Sequence, residues 1–282
     1  MKYVLITGVS TGIGYDAARF LIERGFHVFG SVRKQVDGER VQGELGEQFT
    51  PLLFDVTDEE AVETAVSKVS EKIGNNGLAG LVNNAGIAVA GPLMHLPLED
   101  FRWQMEVNLV GQLAVTQKFL PLLGAVPDAP HPPGRIINIS SVSGKVVYPF
   151  MGPYAASKHA LEAISDALRR ELLIFGIDVV VIGPGSVQTP IWDKAQEIDV
   201  EPYKETPYLS MMEGMKKTLV RQGKSGIAVE KVSAVIYEAL TKEKPKTRYA
   251  IARKLLSGWL LPRYLPARMF DNIIAKRLGI TK

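Results

Sequence analysis

The sequence contains no cysteine, and this absence excludes several kinds of chemistry. None of the 282 residues is cysteine, so disulfide bonds, a thiol nucleophile and a thiolate metal site are all ruled out. The histidines are few, and they stand at positions 27, 95, 131 and 159 without the spacing of a metal-binding motif. We therefore predict no metal site.

Long apolar runs are absent as well. No uninterrupted apolar stretch approaches the roughly 20 residues that cross a bilayer. The chain enters a strand-like segment directly, Met1-Lys2-Tyr3-Val4-Leu5-Ile6-Thr7, which leaves no room for a signal or transit peptide. The hydrophobic fraction of 46% and the charged fraction of 22% are ordinary for a globular chain with a sizeable core. We expect a cytoplasmic protein.

Strand-like and helix-like segments alternate along the chain. We predict strands near 3–7, 27–32, 50–54, 79–83, 134–140, 177–182 and 247–251, and helices near 12–24, 38–46, 58–73, 98–123, 153–175 and 229–241. Such alternation is typical of a parallel sheet covered on both faces. The sequence therefore predicts one α/β domain over residues 1–282, a Rossmann-type doubly wound parallel sheet of about seven strands.

A glycine-rich turn follows the first predicted strand. The segment Gly8-Val9-Ser10-Thr11-Gly12-Ile13-Gly14 leads directly into a helical pattern. Glycines let the backbone approach a pyrophosphate, and the N–H groups at a helix start attract its negative charge. The spacing differs from the common Gly-x-Gly-x-x-Gly fingerprint. Strand, turn and helix in this order nevertheless favour a dinucleotide site over an ordinary turn.

A tyrosine and a lysine stand four residues apart further along the chain. Tyr154 and Lys158 lie in Tyr-Ala-Ala-Ser-Lys, thirteen residues after Ser141. On a helix this spacing places both side chains on one face, where the ammonium is expected to lower the pKa of the phenol from its usual ~10. A serine hydroxyl from a separate strand end can hold a carbonyl or alcohol oxygen against the phenol. The three residues indicate proton transfer to or from a substrate oxygen.

Together these motifs resemble the short-chain dehydrogenase/reductase family. The resemblance covers roughly residues 2–250. It rests on Thr7-Gly-Val-Ser-Thr-Gly-Ile-Gly14, Asn83-Asn-Ala-Gly86, Asn108, Ser141, Tyr154-Ala-Ala-Ser-Lys158 and Pro184-Gly185, which occur in family order. The overall texture and the extended C-terminus are most similar to the branch of 17β-hydroxysteroid and retinol dehydrogenases. The resemblance implies an NAD(P)-dependent oxidoreductase.

The resemblance also implies which residues contact the cofactor. Asp55 takes the position that binds the adenine ring, and Thr189 follows the turn that contacts the nicotinamide carboxamide. The full predicted set is Gly8, Ser10, Thr11, Gly12, Ile13, Gly14, Arg33, Asp55, Val56, Asn83, Ala85, Gly86, Tyr154, Lys158, Pro184, Gly185, Val187 and Thr189.

The end of the second strand bears on the choice between NADP and NAD. In sheets that prefer NAD, an acidic residue there bonds the ribose hydroxyls. Val32 stands at that position, Arg33 follows it, and no carboxylate occurs until Asp37. A guanidinium suits a 2′-phosphate through paired, charge-assisted hydrogen bonds. We therefore predict NADP, with NAD as the alternative if Arg33 is a solvated loop charge.

By resemblance, the catalytic residues are Asn108, Ser141, Tyr154 and Lys158. Tyr154 transfers a proton while hydride passes at the nicotinamide, and Ser141 polarises the carbonyl. Lys158 lowers the tyrosine's pKa and bonds the nicotinamide ribose. Asn108 is expected to hold a water that links Lys158 to solvent; the alternative is a buried amide with satisfied hydrogen bonds.

Residues 187–226 break the strand–helix alternation and are predicted to form a lid over the substrate. The predicted substrate contacts are apolar: Val142, Phe150, Met151 and Trp192. Such a wall favours a hydrophobic ketone or secondary alcohol of steroid, retinoid or alicyclic type. Alternatively, these residues form core beneath a lid.

The C-terminal residues 252–282 are predicted to form a basic amphipathic extension. From Lys242 to Lys282 eleven basic residues stand against two acidic ones, a charge of +9 in a chain of +3, so residues 1–241 carry −6. We favour packing on the enzyme over contact with a partner subunit or with an anionic membrane. The interleaved aliphatic residues argue against nucleic acid. By resemblance we expect a homodimer or homotetramer.

The sequence thus predicts NADP(H)-dependent interconversion of a hydrophobic ketone or aldehyde and its alcohol, with Tyr154 as the acid or base. NAD-dependent oxidation of the same alcohols is one alternative. The other is a non-catalytic redox sensor that retains the fold and the nucleotide site. The presence of all four catalytic residues argues against the sensor.

Overall fold

Seven parallel strands form the centre of the computed structural model, which describes residues 1–190, 198–253 and 261–278. Parallel strands buried on both faces are near-continuous apolar runs, and every residue of the second strand is buried. The strands are β1 (Lys2–Ile6), β2 (Phe26–Val32), β3 (Phe49–Leu53), β4 (Gly80–Asn83), β5 (Arg135–Ile139), β6 (Asp178–Pro184) and β7 (Arg248–Ile251). Each lies within two residues of its predicted position.

The strand order creates a cleft at one edge of the sheet. The order is β3-β2-β1-β4-β5-β6-β7, so the direction of winding reverses between β1 and β4. Ligands of open α/β sheets bind outside the carboxyl ends of the strands at such a reversal. The predicted Rossmann-type fold is confirmed, and it places the glycine turn after β1 beside the chain that follows β4.

Helices cover both faces of the sheet. They are α1 (Gly12–Ile22), α2 (Gln35–Leu45), α3 (Glu59–Ile73), α4 (Leu98–Met105), α5 (Gly111–Phe119), α6 (Gly152–Glu171), α7 (Leu209–Lys224), α8 (Val229–Thr241) and α9 (Ala267–Leu278). Successive strand residues point to opposite faces. Val4 and Ile6 therefore join a core with α1 and α8, whereas Leu5 joins a second core with α3 and α5.

The region predicted as one helix over 98–123 is interrupted. Between α4 and α5 the chain forms a π-helical turn, Glu106–Val110, and a 3₁₀ turn, Leu120–Leu123, follows α5. A π-turn inserts an extra residue into the helix and is frequent at functional sites. Asn108 lies in the middle of this turn.

The predicted lid contains helix α7, which the sequence analysis did not predict. Its residues Met212 and Met215 pack with Tyr203 and Phe150, and we call these four residues the lid cluster. Burial of this apolar row explains why the segment folds onto the protein despite breaking the strand–helix alternation.

The C-terminal extension packs on the enzyme, as the sequence analysis favoured. The ring of Phe270 in α9 lies 6.0 Å from the ring of Tyr148. Ile274 is buried, and Leu278 packs against the lid cluster. Among the helices of the described ranges, none has the length and apolarity needed to cross a membrane.

Candidate active site

The glycine turn after β1 has room only for glycine at critical positions. Gly8 and Gly12 have φ angles of +71° and +65°, which side chains disfavour. A Cβ atom at Gly8 would lie 3.0 Å from Cα of Ala85, and one at Gly14 would overlap the carbonyl oxygen of Gly8. The turn therefore lies in direct contact with the chain after β4. Ser10, Thr11 and Ile13 lie between these glycines.

Three polar side chains hold this turn, and none of them is in the predicted set of cofactor contacts. The Thr7 hydroxyl accepts hydrogen bonds from the backbone N–H groups of Asn84 (2.9 Å) and Ala85 (3.0 Å). The Asn84 amide donates to the carbonyl oxygens of Thr7 (2.9 Å) and Gly8 (3.0 Å). The Ser31 hydroxyl accepts from the N–H of Gly8 at 2.9 Å. Together they fix the turn between β1, β2 and β4.

Two arginines flank the glycine turn on the β2 side. The side chain of Arg33 is 65% exposed, and its guanidinium lies 3.9 Å from the Asp55 carboxylate. Arg40 of α2 was not predicted; it donates to the carbonyl oxygen of Ser10 at 2.7 Å and pairs with Glu44 at 3.2 Å. The residue at the end of β2 is the buried Val32. Because this residue is a valine, the position that carries a carboxylate in NAD-preferring sheets has none.

Asp55 and its neighbour Val56 follow β3. The Asp55 carboxylate accepts from the N–H of Thr57 at 3.0 Å, which closes a turn. Val56 is buried. Asp58 caps α3 by accepting from the N–H of Ala61 at 3.0 Å, in agreement with a structural role.

The side chain of Asn83 faces the interior, so its predicted contact with the cofactor stays a prediction for its backbone. Its amide donates to the Thr116 hydroxyl at 2.8 Å and to the Asn138 amide oxygen at 2.9 Å. These bonds join β4, α5 and β5 behind the site. Asn83 is the last residue of β4 and points to the side opposite to that of Asn84, because side chains alternate along a strand.

The chain after β4 connects the glycine turn to the lysine. Ala85 contacts Gly8, as described above. A Cβ atom at Gly86 would lie 3.1 Å from Oδ1 of Asn108 and 3.8 Å from Nζ of Lys158. The residues predicted for the two ends of the cofactor are therefore joined by a segment with little side-chain bulk.

The opposite wall is formed by the residues after β6. The backbone N–H of Gly185 donates to the Ile251 carbonyl at 2.8 Å, and Val187 pairs with Ile227 in an isolated bridge. Thr189 approaches the glycine turn: a Cβ atom at Gly12 would lie 3.5 Å from Cβ of Thr189. The predicted residues from both halves of the sheet thus enclose one cleft.

Ser141, Tyr154 and Lys158 meet at the carboxyl end of β5. Tyr154 and Lys158 lie on one face of α6, with the ammonium 5.9 Å from the centre of the tyrosine ring. Nζ of Lys158 donates to the Ile139 carbonyl oxygen at 2.9 Å. The Ser141 hydroxyl lies 3.4 Å from the carbonyl oxygen of Pro184, to which it donates.

Burial controls the pKa values of these groups. It raises the pKa of Tyr154, and the hydrogen bond between Tyr154 and Ser141 only partly offsets the rise. It lowers the pKa of Lys158 from 10.5 to about 8, because the charged form of each group loses hydration. The tyrosine's pKa is therefore raised and not lowered as predicted, with burial as the largest cause.

Asn108 is fully buried and makes a reciprocal pair with the backbone of Ile87. Its Oδ1 accepts from the Ile87 N–H at 2.8 Å, and its Nδ2 donates to the Ile87 carbonyl at 3.0 Å and to the Ser157 hydroxyl at 3.2 Å. These hydrogen bonds fit the alternative prediction, a buried amide with satisfied hydrogen bonds. Because Asn108 lies between Gly86 and Lys158, a water-mediated proton relay from Lys158 to solvent stays a hypothesis.

A buried charge network behind the serine escaped the sequence analysis. Glu162 lies one helical turn beyond Lys158 and is buried. It accepts from the Ser140 hydroxyl at 2.7 Å, pairs with Arg248 of β7 and lies 3.5 Å from the Lys145 ammonium. The four-residue spacing of Tyr154, Lys158 and Glu162 is the sequence feature that could have placed Glu162 on the same helix face.

The predicted substrate residues lie between the serine and α6. Val142 begins a 3₁₀ turn directly after Ser141. Phe150 has a φ of +68°, an unusual value for a bulky side chain, and its ring packs 6.0 Å from that of Tyr208. Met151 packs against the same lid cluster. Trp192 lies outside the described residues.

Comparisons with known proteins agree with this geometry. A family model described as short chain dehydrogenase matches residues 2–199. The chain is 44% identical over 278 residues to the NADPH-dependent 3-dehydrocapnine reductase of Ornithobacterium rhinotracheale, covering 99% of this chain and 98% of that protein. It is 34% identical to retinol dehydrogenase 16 of Mus musculus, over 97% of this chain and 87% of the other. The solved structure of ElxO with NADP bound superposes with a TM-score of 0.73 at 28% identity, covering 91% and 99% of the two chains.

Proposed function

This chain belongs to the short-chain dehydrogenase family and is an NAD(P)-dependent oxidoreductase, and on that premise we propose that it reduces a hydrophobic ketone or aldehyde to the alcohol with NADPH. The observation that carries the proposal is the meeting of Tyr154, Ser141 and Lys158 at the sheet edge that also holds the glycine turn. The proposed proton donor and the carbonyl-binding hydroxyl therefore lie at the same edge of the sheet as the nucleotide-binding turn.

The cofactor is NADPH. The glycine turn fits a pyrophosphate, since side chains at Gly8 and Gly14 would fill the place where the backbone must approach it. Arg33 and Arg40 supply two guanidinium groups for the 2′-phosphate. When bound, the dihydronicotinamide supplies the hydride that reduces the carbonyl carbon.

Tyr154 is the proton donor to the carbonyl oxygen. Its raised pKa keeps the phenol protonated at neutral pH, which is the form that ketone reduction requires. Lys158, with a pKa of about 8, is mostly charged at pH 7 and stabilises the phenolate as the proton leaves. Ser141 donates a hydrogen bond to the same carbonyl oxygen and so polarises it.

Lys158 also orients the nicotinamide ribose. An ammonium has three N–H donors, and within the described residues one of them bonds the Ile139 carbonyl. The others serve the ribose hydroxyls and the phenolate. Asn108, fixed by its bonds to Ile87 in the π-turn, holds the water through which Lys158 exchanges protons with solvent.

The substrate is a hydrophobic carbonyl compound. The apolar lid cluster and Met151, all within a few residues of Tyr154 or on the lid that faces it, support this class. The kinship to proteins named for retinol and for 3-dehydrocapnine supports it as well, and the latter name denotes a ketone at position 3. We therefore place 3-dehydrocapnine first among candidates, ahead of steroid, retinoid and alicyclic ketones.

The enzyme forms a homodimer or homotetramer through α4, α5 and α6. Exposed apolar side chains on this side support the assembly; they are Leu98, Trp103 and Val110. The cytoplasmic location predicted from the sequence stays a prediction.

The test is oxidation of NADPH at 340 nm (the dihydronicotinamide absorption band), with NADH in parallel, against 3-dehydrocapnine and a panel of steroid, retinoid and alicyclic ketones. Turnover with NADPH in preference to NADH is expected for at least one member. Tight NADPH binding with no turnover across the panel would instead favour the non-catalytic sensor. Preference for NAD and for the alcohols would favour the oxidising alternative.

A further inference from the structure

The C-terminal helix α9 packs on the protein with one of its faces. Phe270, Ile274 and Leu278 are spaced four residues apart, so their side chains form one row along the helix. Phe270 meets the ring of Tyr148, Ile274 is buried, and Leu278 packs against the lid cluster. This row, which we call the inner row, accounts for the attachment of the helix beside the substrate site.

A second apolar row on α9 stays exposed. Met269 is 53% exposed and Ile273 41% exposed. Each residue advances roughly 100° around a helix, so this outer row lies about a quarter-turn from the inner row. Tyr264, just before the helix, is 71% exposed. Attachment through the inner row therefore leaves these three apolar side chains at the surface.

Basic side chains flank the outer row on the helix. Arg268 precedes Met269 directly, and both Arg268 and Lys276 are exposed. Lys276 follows Ile273 by three residues and so lies beside it on the helix. Asp271 is the one acidic residue in the described segment 261–278, and it lies on the side of the helix opposite to Met269, two residues away.

We propose that the outer face of α9 docks on an anionic lipid bilayer. Met269, Ile273 and Tyr264 enter the headgroup boundary, and the surrounding cations bind lipid phosphates, as basic amphipathic helices do. The charge of the described segment 261–278 favours this occupant, because four basic residues stand there against one acidic residue, whereas residues 1–241 carry −6. A bilayer in contact with α9 lies beside the lid cluster, against which Leu278 of the same helix packs.

A second copy of the chain fits this face less well than a bilayer does. In a twofold contact the same patch appears on both sides, so the cations of one copy would oppose those of the other. An anionic bilayer satisfies the apolar row and the cations together. The proposal rests on this surface alone and does not depend on the proposed reaction.

The test is co-sedimentation of the full-length protein with vesicles. Binding is expected to vesicles of phosphatidylglycerol mixed with phosphatidylcholine, to be at least about tenfold weaker to phosphatidylcholine alone, and to fall in high salt. The double substitution Met269→Ser with Ile273→Ser should reduce binding about tenfold, and Arg268→Ser with Lys276→Ser should abolish the preference for anionic lipid.

The control pair is Leu173→Ser with Ile174→Ser, at the far end of α6. These two side chains are more exposed than the outer row, at 70% and 82%, and they follow Arg169 and Arg170. Vesicle binding should be unchanged in this control, and the far-ultraviolet circular dichroism spectrum should be unchanged in all variants, which shows that each is folded.

Three results overturn the proposal. One is no sedimentation of the wild type with anionic vesicles. Another is equal loss of binding in the outer-row and control variants. The last is a change of sedimentation coefficient in the outer-row variant without any change in vesicle binding, which would assign the face to a second copy.

Discussion

At the residue scale, the site depends on how burial treats a phenol and an ammonium on the same helix face. Tyr154 and Lys158 are both shifted toward their neutral forms, because removal from water disfavours charge whatever its sign. The consequence is a tyrosine kept protonated beside a lysine that titrates close to the working pH. The reaction direction that uses this resting state is reduction, in which the phenol begins with its proton.

Tyr154→Phe removes the hydroxyl that we propose as the proton donor and keeps the aromatic ring. We expect the rate constant for NADPH-dependent reduction to fall by about 10²- to 10⁴-fold, the usual contribution of a positioned acid, while NADPH affinity changes less than about twofold, since a phenyl ring preserves the packing. Steady-state kinetics and titration of NADPH fluorescence measure the two quantities. Turnover near that of the wild type would remove Tyr154 from the mechanism.

The low pKa of Lys158 predicts an alkaline limb in the reductase activity. As pH rises through about 8, the lysine loses its proton and no longer stabilises the phenolate, so kcat/KM for NADPH should fall about tenfold per pH unit. In Lys158→Arg the cation persists to higher pH, and the limb should move upward even if the activity is lower. A profile that stays flat to pH 10 in the wild type contradicts this assignment.

The lowered pKa of Lys158 also affects stability, in the direction opposite to its effect on activity. Between pH 8 and the ordinary lysine pKa of 10.5, the unfolded chain holds a proton that the native state has released. The free energy of unfolding therefore gains a contribution from Lys158 as pH rises through this window. Stability and activity are thus expected to respond in opposite directions to alkaline pH.

At the scale of secondary-structure elements, we propose that the residue after β2 and an arginine of α2 decide cofactor choice. Arg33 follows β2 and Arg40 lies on α2, where Asp37 and Glu44 hold its guanidinium at 3.7 and 3.2 Å while it bonds the Ser10 carbonyl. The prediction of NADP from Arg33 agrees with a relative named as NADPH-dependent and with a neighbour solved with NADP bound. Arg40 adds a charge whose position only the packing of α2 against the turn reveals.

Substitution of either arginine should weaken the NADPH preference. Arg33→Ala and Arg40→Ala each remove a charge-assisted bond to the 2′-phosphate, so KM for NADPH should rise roughly 10- to 100-fold, with KM for NADH changed little. Arg24→Ala at the opposite end of α1 is the matched control and should affect neither. An equal rise of both KM values would show that the substitution disturbed the nucleotide site as a whole.

The inner row of α9 predicts a role for the extension in substrate binding. Phe270→Ala deletes the ring that meets Tyr148, in the loop between Ser141 and Tyr154. KM for a hydrophobic ketone should rise about 3- to 10-fold, as expected for a lost aromatic contact, while KM for NADPH is unchanged. The neighbouring Met269→Ala, whose side chain is exposed, should have no effect on either constant. Equal KM values for the hydrophobic ketone in Phe270→Ala and Met269→Ala would contradict a role of the extension in substrate binding.

At the scale of the whole molecule, the cofactor joins the two halves of the sheet. The glycine turn belongs to the half with β1 and β2, whereas Lys158 and Thr189 belong to the half with β5 and β6. A ligand that spans the cleft binds only when both halves are folded and in register. Its binding free energy is then added to the stability of the native state.

NADPH should therefore raise the melting temperature of the protein. At 100 times its dissociation constant the ligand contributes about 2.7 kcal/mol, which corresponds to roughly 5–10 °C for a chain of this size. Differential scanning fluorimetry with NADPH and NADH at equal concentrations measures the effect, and NADPH should give the larger rise. An equal rise with the two nucleotides would refute the NADPH preference.

Local patterns in the sequence determined the architecture. Apolar runs of strand length, helical periodicity and the turn glycines are properties of a few consecutive residues, so all seven strands and the order strand–turn–helix at Gly8 could be predicted. The selection of Ser141, Tyr154 and Lys158 also needed only their spacing and a family resemblance. A glycine is required at position 14 by its contact with the Gly8 carbonyl oxygen within the turn, and at position 8 by the contact with Ala85.

Long-range packing decided what the sequence could not. The side-chain direction of Asn83, the Glu162–Arg248 pair, the placement of Arg40 and the π-turn at Asn108 depend on which elements lie side by side. The pKa of Tyr154 was predicted in the wrong direction because sequence shows the neighbouring charge but not the loss of water around it. Burial is a property of the folded chain, so only the tertiary structure revealed that it raises the pKa of this phenol.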